Sequence, residues 1–309
     1  MDGATRFWVR ATGRRVELPV TPWLQGPVGD LDRVGDAWLP AEADRLGAEV
    51  AGPRGADDAG PRGLLGSVAD LDRPGFAADA LAGPVRRFYE GTSTWRLDAW
   101  VGWAPWAWPF GWAVAALFAR RLDQLALPMR SLDLAHGMSS AVTPLVRDGA
   151  QVGALWLRRL RATGRIVFSG LYGVVRLPAS GEPAVGVTFP LPRGRLVVLL
   201  RPTATARGGL VLTSGAGAWG EPGAYLVVDG PGGCWARRVP VHERFHVFVD
   251  DEGVLRTDHD LRLGALPVLR LHYRLTESPG VGPATPAGEV PARAGEVPAA
   301  RPGEAAAEA

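Results

Sequence analysis

His242-Glu243-Arg244-Phe245-His246 spells H-E-x-x-H, the spacing with which a zinc protease holds its metal between two imidazoles and uses the carboxylate as base. That chemistry needs a helix. On a helix, residues four apart lie on one face with Cβ atoms roughly 5–6 Å apart, close enough for both rings to reach one ion. On a strand they also share a face, but at about 3.3 Å per residue they stand roughly 13 Å apart. The local sequence favours the strand. Pro240 precedes the motif, Val247 and Val249 alternate after it, and Asp250-Asp251-Glu252-Gly253 reads as a hairpin turn. The expectation is extended chain without a metal. The alternative is a zinc-dependent hydrolase that uses His242 and His246 as ligands and Glu243 as base, with His259 and His272 available by number as further ligands.

Other motifs carry less. Gly215-Ala-Gly-Ala-Trp-Gly220 matches G-x-G-x-x-G, but a dinucleotide site needs a helix next, and Glu221-Pro222-Gly223 and a strand-like run follow. A loop between strands is expected there. Ser139 and Ser140 lie near His136 without a G-x-S-x-G elbow. His136, before Gly137, reads as a turn residue, and Asp98, Asp123 and Asp133 stand singly among apolar neighbours. Cys234 is the only cysteine, which excludes an internal disulfide and a thiolate zinc cluster within one chain. No cofactor is expected.

The elements that would position a site are strand-rich. "GRIVFSGLYGVVRLP", "RLVVLLRPT", "GGLVLTSG" and "AYLVVDG" are short β-rich runs between turn residues. "RFHVFVDDEGVLRTDHDLRL" alternates on both sides of its turn, and "LPVLRLHYRL" supplies a last strand. Strands without intervening helices imply an antiparallel sheet. Residues 1–83 are rich in Gly, Pro, Asp and Ala and read as an irregular arm, with a linker at 51–63. The tail from 276 to 309 lacks large apolar residues other than isolated Val and reads as disordered.

Between arm and strands lies a tryptophan zone, 84–128, read as largely helical. Ala99 to Ala119 carries no charge for 21 residues, a length that could span a bilayer, but Pro105 and Pro109 interrupt it and tryptophans fill its interior. A helix from Pro109 to about Leu125 is the better parse. Trp100, Trp103, Trp106, Trp108, Trp112 and Phe118 become candidates to line an apolar ligand cavity against the sheet, or to sit in a membrane interface. Simple core packing is the bland alternative.

Composition supports a globular chain: 47% hydrophobic and 21% charged residues over 309 positions. All basic residues are Arg, and the net charge of +2 gives no reason to expect nucleic acid as a partner. From Leu155 to Leu275, sixteen arginines stand against nine acidic residues, a local excess of seven that could face anionic lipid. The N-terminus lacks an apolar core of signal-peptide length, so a cytoplasmic protein, peripheral at the membrane surface, is expected.

"RRFYEGTSTWRLDAW", "RRLDQLALPM", "GMSSAV", "VTFPLPRGRLVVLL" and "ERFHVFVDDEGVLRTDHDLRLGALPVLRLHY", in that order, resemble the soluble C-terminal region of YndJ-type bacterial membrane proteins over roughly 85–275. The resemblance brings no catalytic residues, and the multi-helix membrane portion expected before that region is missing here. It implies a stand-alone accessory domain working near a membrane.

The fold expectation is α+β over 84–275: a curved antiparallel sheet packed by one or two helices, helical in 84–128 and strand-rich in 150–275. The function expectation is a non-enzymatic module for an apolar or lipid-like small molecule or a membrane surface, with the zinc hydrolase and a protein-interaction domain as alternatives.

Overall fold

The computed structural model describes residues 3–29, 35–52, 62–107, 134, 136–230 and 232–277. In chain order the elements are α1 (Gly3–Thr12), β1 (Arg14–Val16), α2 (Leu39–Leu46), β2 (Glu49–Val50), α3 (Gly83–Glu90) and β3 (Trp95–Trp103). There follow β4 (Met138–Arg147), β5 (Ala150–Leu160), β6 (Ile166–Arg176), β7 (Pro183–Leu191), β8 (Gly194–Ala204) and β9 (Leu210–Thr213). The last five are β10 (Gly223–Gly230), β11 (Gly233–Val239), β12 (Val241–Val249), β13 (Leu255–Leu263) and β14 (Leu266–Glu277). The fold is α+β, dominated by one curved antiparallel sheet, as the strand-turn-strand sequence predicts.

Turn chemistry sets the registers. Asp148 and Gly149 both take positive φ (52° and 76°), and this two-residue turn joins β4 to β5 with the twist that antiparallel strands need. Gly253 (φ 77°) closes the Asp250–Gly253 turn, while the Asp250 carboxylate accepts from the backbone N–H groups of Glu252 (3.0 Å) and Val254 (2.8 Å). Arg256 then pairs with the same carboxylate. The expected hairpin is thus formed by β12 and β13.

The main path through the sheet runs β2-β4-β5-β6-β7-β8-β9-β12-β13-β14-β3. At β8 the sheet forks. The first part of β8 pairs with β10, from Gly194↔Val228 to Leu199↔Gly223, and its last four residues pair with β9. The side branch continues through β11 to β1. The strand at one end, β3, comes back beside β4 without forming a ladder, so the curl stays open along that seam.

Strands at the fork are apolar on both faces and need cover on both. Val198 and Leu200 of β8 join the large inner core with Trp156, Val187, Leu212 and Tyr273. Val197 and Leu199, alternating with them, join an outer core with Trp23, Leu24, Leu177 and Tyr225. A third cluster packs Trp38, Leu39 and Ala43 on Leu145, Leu155, Leu157 and Ile166. The first fifty residues therefore correct the expectation of an irregular arm. Two short helices and two 3-10 turns form a layer on the convex face, held by Trp23, whose ring meets Tyr225 at 4.9 Å and Trp219 at 5.4 Å between centroids. Such edge-on pairs each add about 0.5–1.5 kcal/mol beyond area burial. Residues 64–89 reach the inner core through Leu64, Val68, Leu71, Val85 and Phe88.

The tryptophan zone is also corrected. Among the described residues of 84–128, α-helix is confined to α3 (Gly83–Glu90), a single 3-10 turn follows at Thr92–Thr94, and Trp95–Trp103 is a strand pairing with β14 from Leu269↔Trp103 to Glu277↔Trp95. The physical reason is period two: Trp95, Leu97 and Ala99 are buried on one face, while Arg96 and Trp100 project from the other. The first five residues of the uncharged Ala99–Ala119 run belong to that strand. The helix expected from Pro109, the linker within 53–61 and the tail from 278 lie outside the described residues. No helix among the described residues is long and apolar enough to cross a membrane.

Candidate functional site

Curling the sheet leaves a cavity of about 290 Å³ on its concave face. That is close to the lower end of the roughly 300–1,000 Å³ range of small-ligand sites. Alternation decides what faces it. From β12 come Val241, Glu243, Phe245 and Val247, and from β13 Thr257, His259 and Leu261. Leu269, Leu271 and Tyr273 of β14, Leu97 and Ala99 of β3, and Trp156 and Phe168 of β5 and β6 complete most of the wall, with Leu64, Phe88 and Tyr89 at one end. The lining is overwhelmingly apolar.

A few polar groups interrupt it. Glu243 and His259 face each other diagonally across β12 and β13, with Glu243 Oε2 3.4 Å from His259 Nε2. That nitrogen is buried and makes no hydrogen bond of good geometry. The His259 ring stacks on Phe245 at 3.9 Å. Arg158 enters from β5, its guanidinium 5.0 Å from the ring centroids of both Trp156 and Tyr273. Burial, then the neighbouring Tyr89 and Glu243, hold the Tyr172 hydroxyl well above the usual phenol range, with Arg158 pulling the other way. Burial alone does the same for Tyr89. Both phenols are neutral throughout the working pH range.

The H-E-x-x-H stretch is strand throughout. Glu243 turns into the cavity, whereas His242 and His246 project to the opposite face. His246 stacks on Phe248 at 4.6 Å, and the buried Nδ1 of His242 has no hydrogen-bond partner. Extended geometry separates the imidazoles and puts the presumptive base on the other side of the sheet, which removes the zinc-protease arrangement. Among the described residues no group of three or more His, Cys, Asp or Glu side chains is placed to hold a metal. His272 instead pairs with Asp258, Nδ1 to Oδ1 at 2.9 Å.

Gly215–Gly220 is a loop between β9 and β10. It is organised by Tyr225, whose hydroxyl donates to Glu221 O (2.6 Å) and accepts from Gly220 N (3.1 Å). Ser140 accepts from Trp156 Nε1 at 2.7 Å, so it buttresses the cavity wall from β4, and His136 sits in the turn before that strand. Asp98 pairs with Arg96 at 3.2 Å; Asp123 and Asp133 lie outside the described residues.

Of the residues singled out as ligand-lining, the three that are described do not face the cavity. Trp100 points outward, 48% exposed, beside His272, and Trp106 is 46% exposed with Nε1 donating to Pro267 O at 2.9 Å. Trp103 packs against the rim of the inner core. None of these three lines the cavity; Trp108, Trp112 and Phe118 lie outside the described residues. Sequence reasoning missed Trp156, Arg158, Tyr172, Glu243 and His259 as a set. The signal was available only strand by strand, as polar or aromatic residues on the inward period of β5, β6, β12 and β13.

Fold and site together define an open, curled antiparallel sheet, layered outside by short helices and enclosing an apolar cavity with a buried guanidinium. Compared with curated proteins, the chain is 27% identical over 240 residues to the "Uncharacterized membrane protein YndJ" of Bacillus subtilis (strain 168), a match covering 75% of this chain. It spans 41% of that relative's length. The YndJ-like relationship expected from the sequence is supported at that distance. No family model matches, and no solved structure matches.

Proposed function

We propose that this chain is a non-enzymatic binding module that holds an apolar or lipid-like small molecule inside its curved sheet. The observation that carries this reading is the cavity of about 290 Å³ with a nearly continuous apolar wall. Water gains little in such a space because few groups can hydrogen-bond it, so an apolar occupant is favoured there. The Glu243–His259 pair does not change the reading, because no metal-holding cluster forms around it among the described residues and the wall about it is apolar.

The test is titration of the purified chain with N-phenyl-1-naphthylamine, an uncharged apolar probe. Expected are enhanced fluorescence, displacement by long-chain alcohols, and loss of both in Ala99→Phe, which fills the cavity. Absence of any enhancement, together with no rise in melting temperature at saturating probe, overturns the reading.

A second reading, docking to a membrane surface, rests on a different observation. Trp100, Trp106, Leu263 and Leu266 are exposed on β3, the segment just after it, and the β13–β14 turn. Exposed tryptophan and leucine suit the interfacial region of a bilayer. The similar Bacillus protein is described as a membrane protein. Flotation with anionic vesicles checks it: recovery with the vesicles is expected for the unmodified chain and not for the Trp100→Ala/Trp106→Ala pair. Failure of the unmodified chain to float rejects it.

A further inference from the structure

An apolar occupant alone leaves one cation in the cavity wall without a purpose. Arg158 is 6% exposed. Its Nη2 lies 3.3 Å from Met138 Sδ, a weak acceptor, and its buried Nε has no hydrogen-bond partner. Among the described residues no carboxylate stands within ion-pair distance of it. Glu243, also on the wall, is turned to His259. The same chain shows what it does with a buried guanidinium held for structure: Arg195, 3% exposed, also leaves its Nε without a hydrogen-bond partner, but sets Nη2 at 2.9 Å from both oxygens of Asp229 and Nη1 at 3.4 Å from Leu24 O, so the difference from Arg158 is the carboxylate. A buried charge without such a partner is costly and persists where something else compensates it. The faces of Trp156 and Tyr273 compensate only in part.

We infer that Arg158 is the head-group anchor of the cavity, and that the ligand is an amphiphile with one anionic head, a medium- or long-chain carboxylate. The inference rests on the apolar-ligand reading and adds the chemistry of its polar end. The flat guanidinium fork matches a carboxylate with two parallel hydrogen bonds. One cation suits a monoanion; a dianionic phosphate would meet the Glu243 carboxylate with insufficient compensation. The alkyl chain then lies along the apolar wall formed by Val187, Leu200, Leu212, Val247 and Leu271. No bond is made or broken.

The experiment compares dodecanoate with dodecanol as displacers of N-phenyl-1-naphthylamine from the full chain. Without a cation, moving a carboxylate into an apolar wall is unfavourable and the alcohol binds more tightly. With Arg158 as anchor, dodecanoate is favoured by about tenfold, the worth of one charge-assisted pair. Arg158→Met should abolish that preference while dodecanol still displaces the probe, and Arg158→Lys should keep the preference in weakened form. Equal or reversed affinities in the unmodified chain overturn the inference, as does a preference that survives Arg158→Met. Tighter displacement by dodecyl phosphate than by dodecanoate overturns the assignment of the head as a carboxylate. If the probe binds and both displacers compete equally, the apolar cavity stands and only the anchor fails; if the probe does not bind, both fall. The unmodified chain alone decides the matter should the variants not fold.

Discussion

Two side chains whose ionisation is displaced by named neighbours offer direct tests, His246 and Cys234. Desolvation, then the positive Arg244 beside it, lowers the pKa of His246, and Asp258 opposes them. Because the folded pKa lies below the ordinary value of about 6.5, the unfolded chain takes up the proton first as pH falls. The group's contribution to stability is therefore complete above that value and is lost as the pH drops toward the folded pKa. The urea midpoint should fall on acidification below about pH 6.5, and His246→Gln should flatten part of the fall; an unchanged slope would refute this origin. Cys234 is the second case. Burial first, then the carboxylate of Asp229 accepting from its thiol at 3.1 Å, raises its pKa to about 11, against a countervailing pull from Arg195. The thiolate is the nucleophile, so at pH 8 alkylation of the folded protein should run about a hundredfold slower than of the urea-unfolded chain.

At the level of elements, the hairpin of β12 and β13 shows what local sequence can decide. Asp250 supplies the acceptor for two turn amides and Gly253 the positive φ. Gly253→Ala should destabilise by about 1 kcal/mol, read as a shifted urea midpoint with unchanged slope. The same local chemistry made the extended state of His242–His246 legible, and with it the loss of the zinc geometry. Trp95–Trp103 was misjudged for a physical reason. Arg96, Leu97 and Ala99 suit a helix by propensity, yet Trp95, Leu97, Ala99, Val101 and Trp103 follow period two, and pairing with β14 lets that period win. The cavity was not legible. Arg158, Tyr172, Glu243 and His259 come from four strands, and periodicity says that residues share a face without saying which face becomes concave or how tightly it curls. The outer layer was missed similarly. Trp23 and Trp38 sit among glycines and prolines, and their burial is dictated by partners more than a hundred residues away, such as Tyr225 and Ser169.

For the molecule as a whole, stability should be graded from the fork outward. Val197 to Leu199 of β8 are flanked by hydrogen-bonded strands on both sides, and their side chains alternate between the outer and the inner core. Their amides should be among the slowest to exchange with deuterated solvent, slower than those of β3, which has a partner strand on one side only. Comparable exchange in β8 and β3 would mean that the sheet opens as one unit from its middle.

The fork also bears on how the protein can be cut. Because β8 carries part of the cavity wall on one side and the seat for Trp23 and Leu24 on the other, trimming the glycine- and proline-rich beginning would strip a greasy surface bare. A shortened recombinant piece starting near Gly83 is then more apt to clump than to serve as a minimal version, and expression trials should retain the first fifty residues.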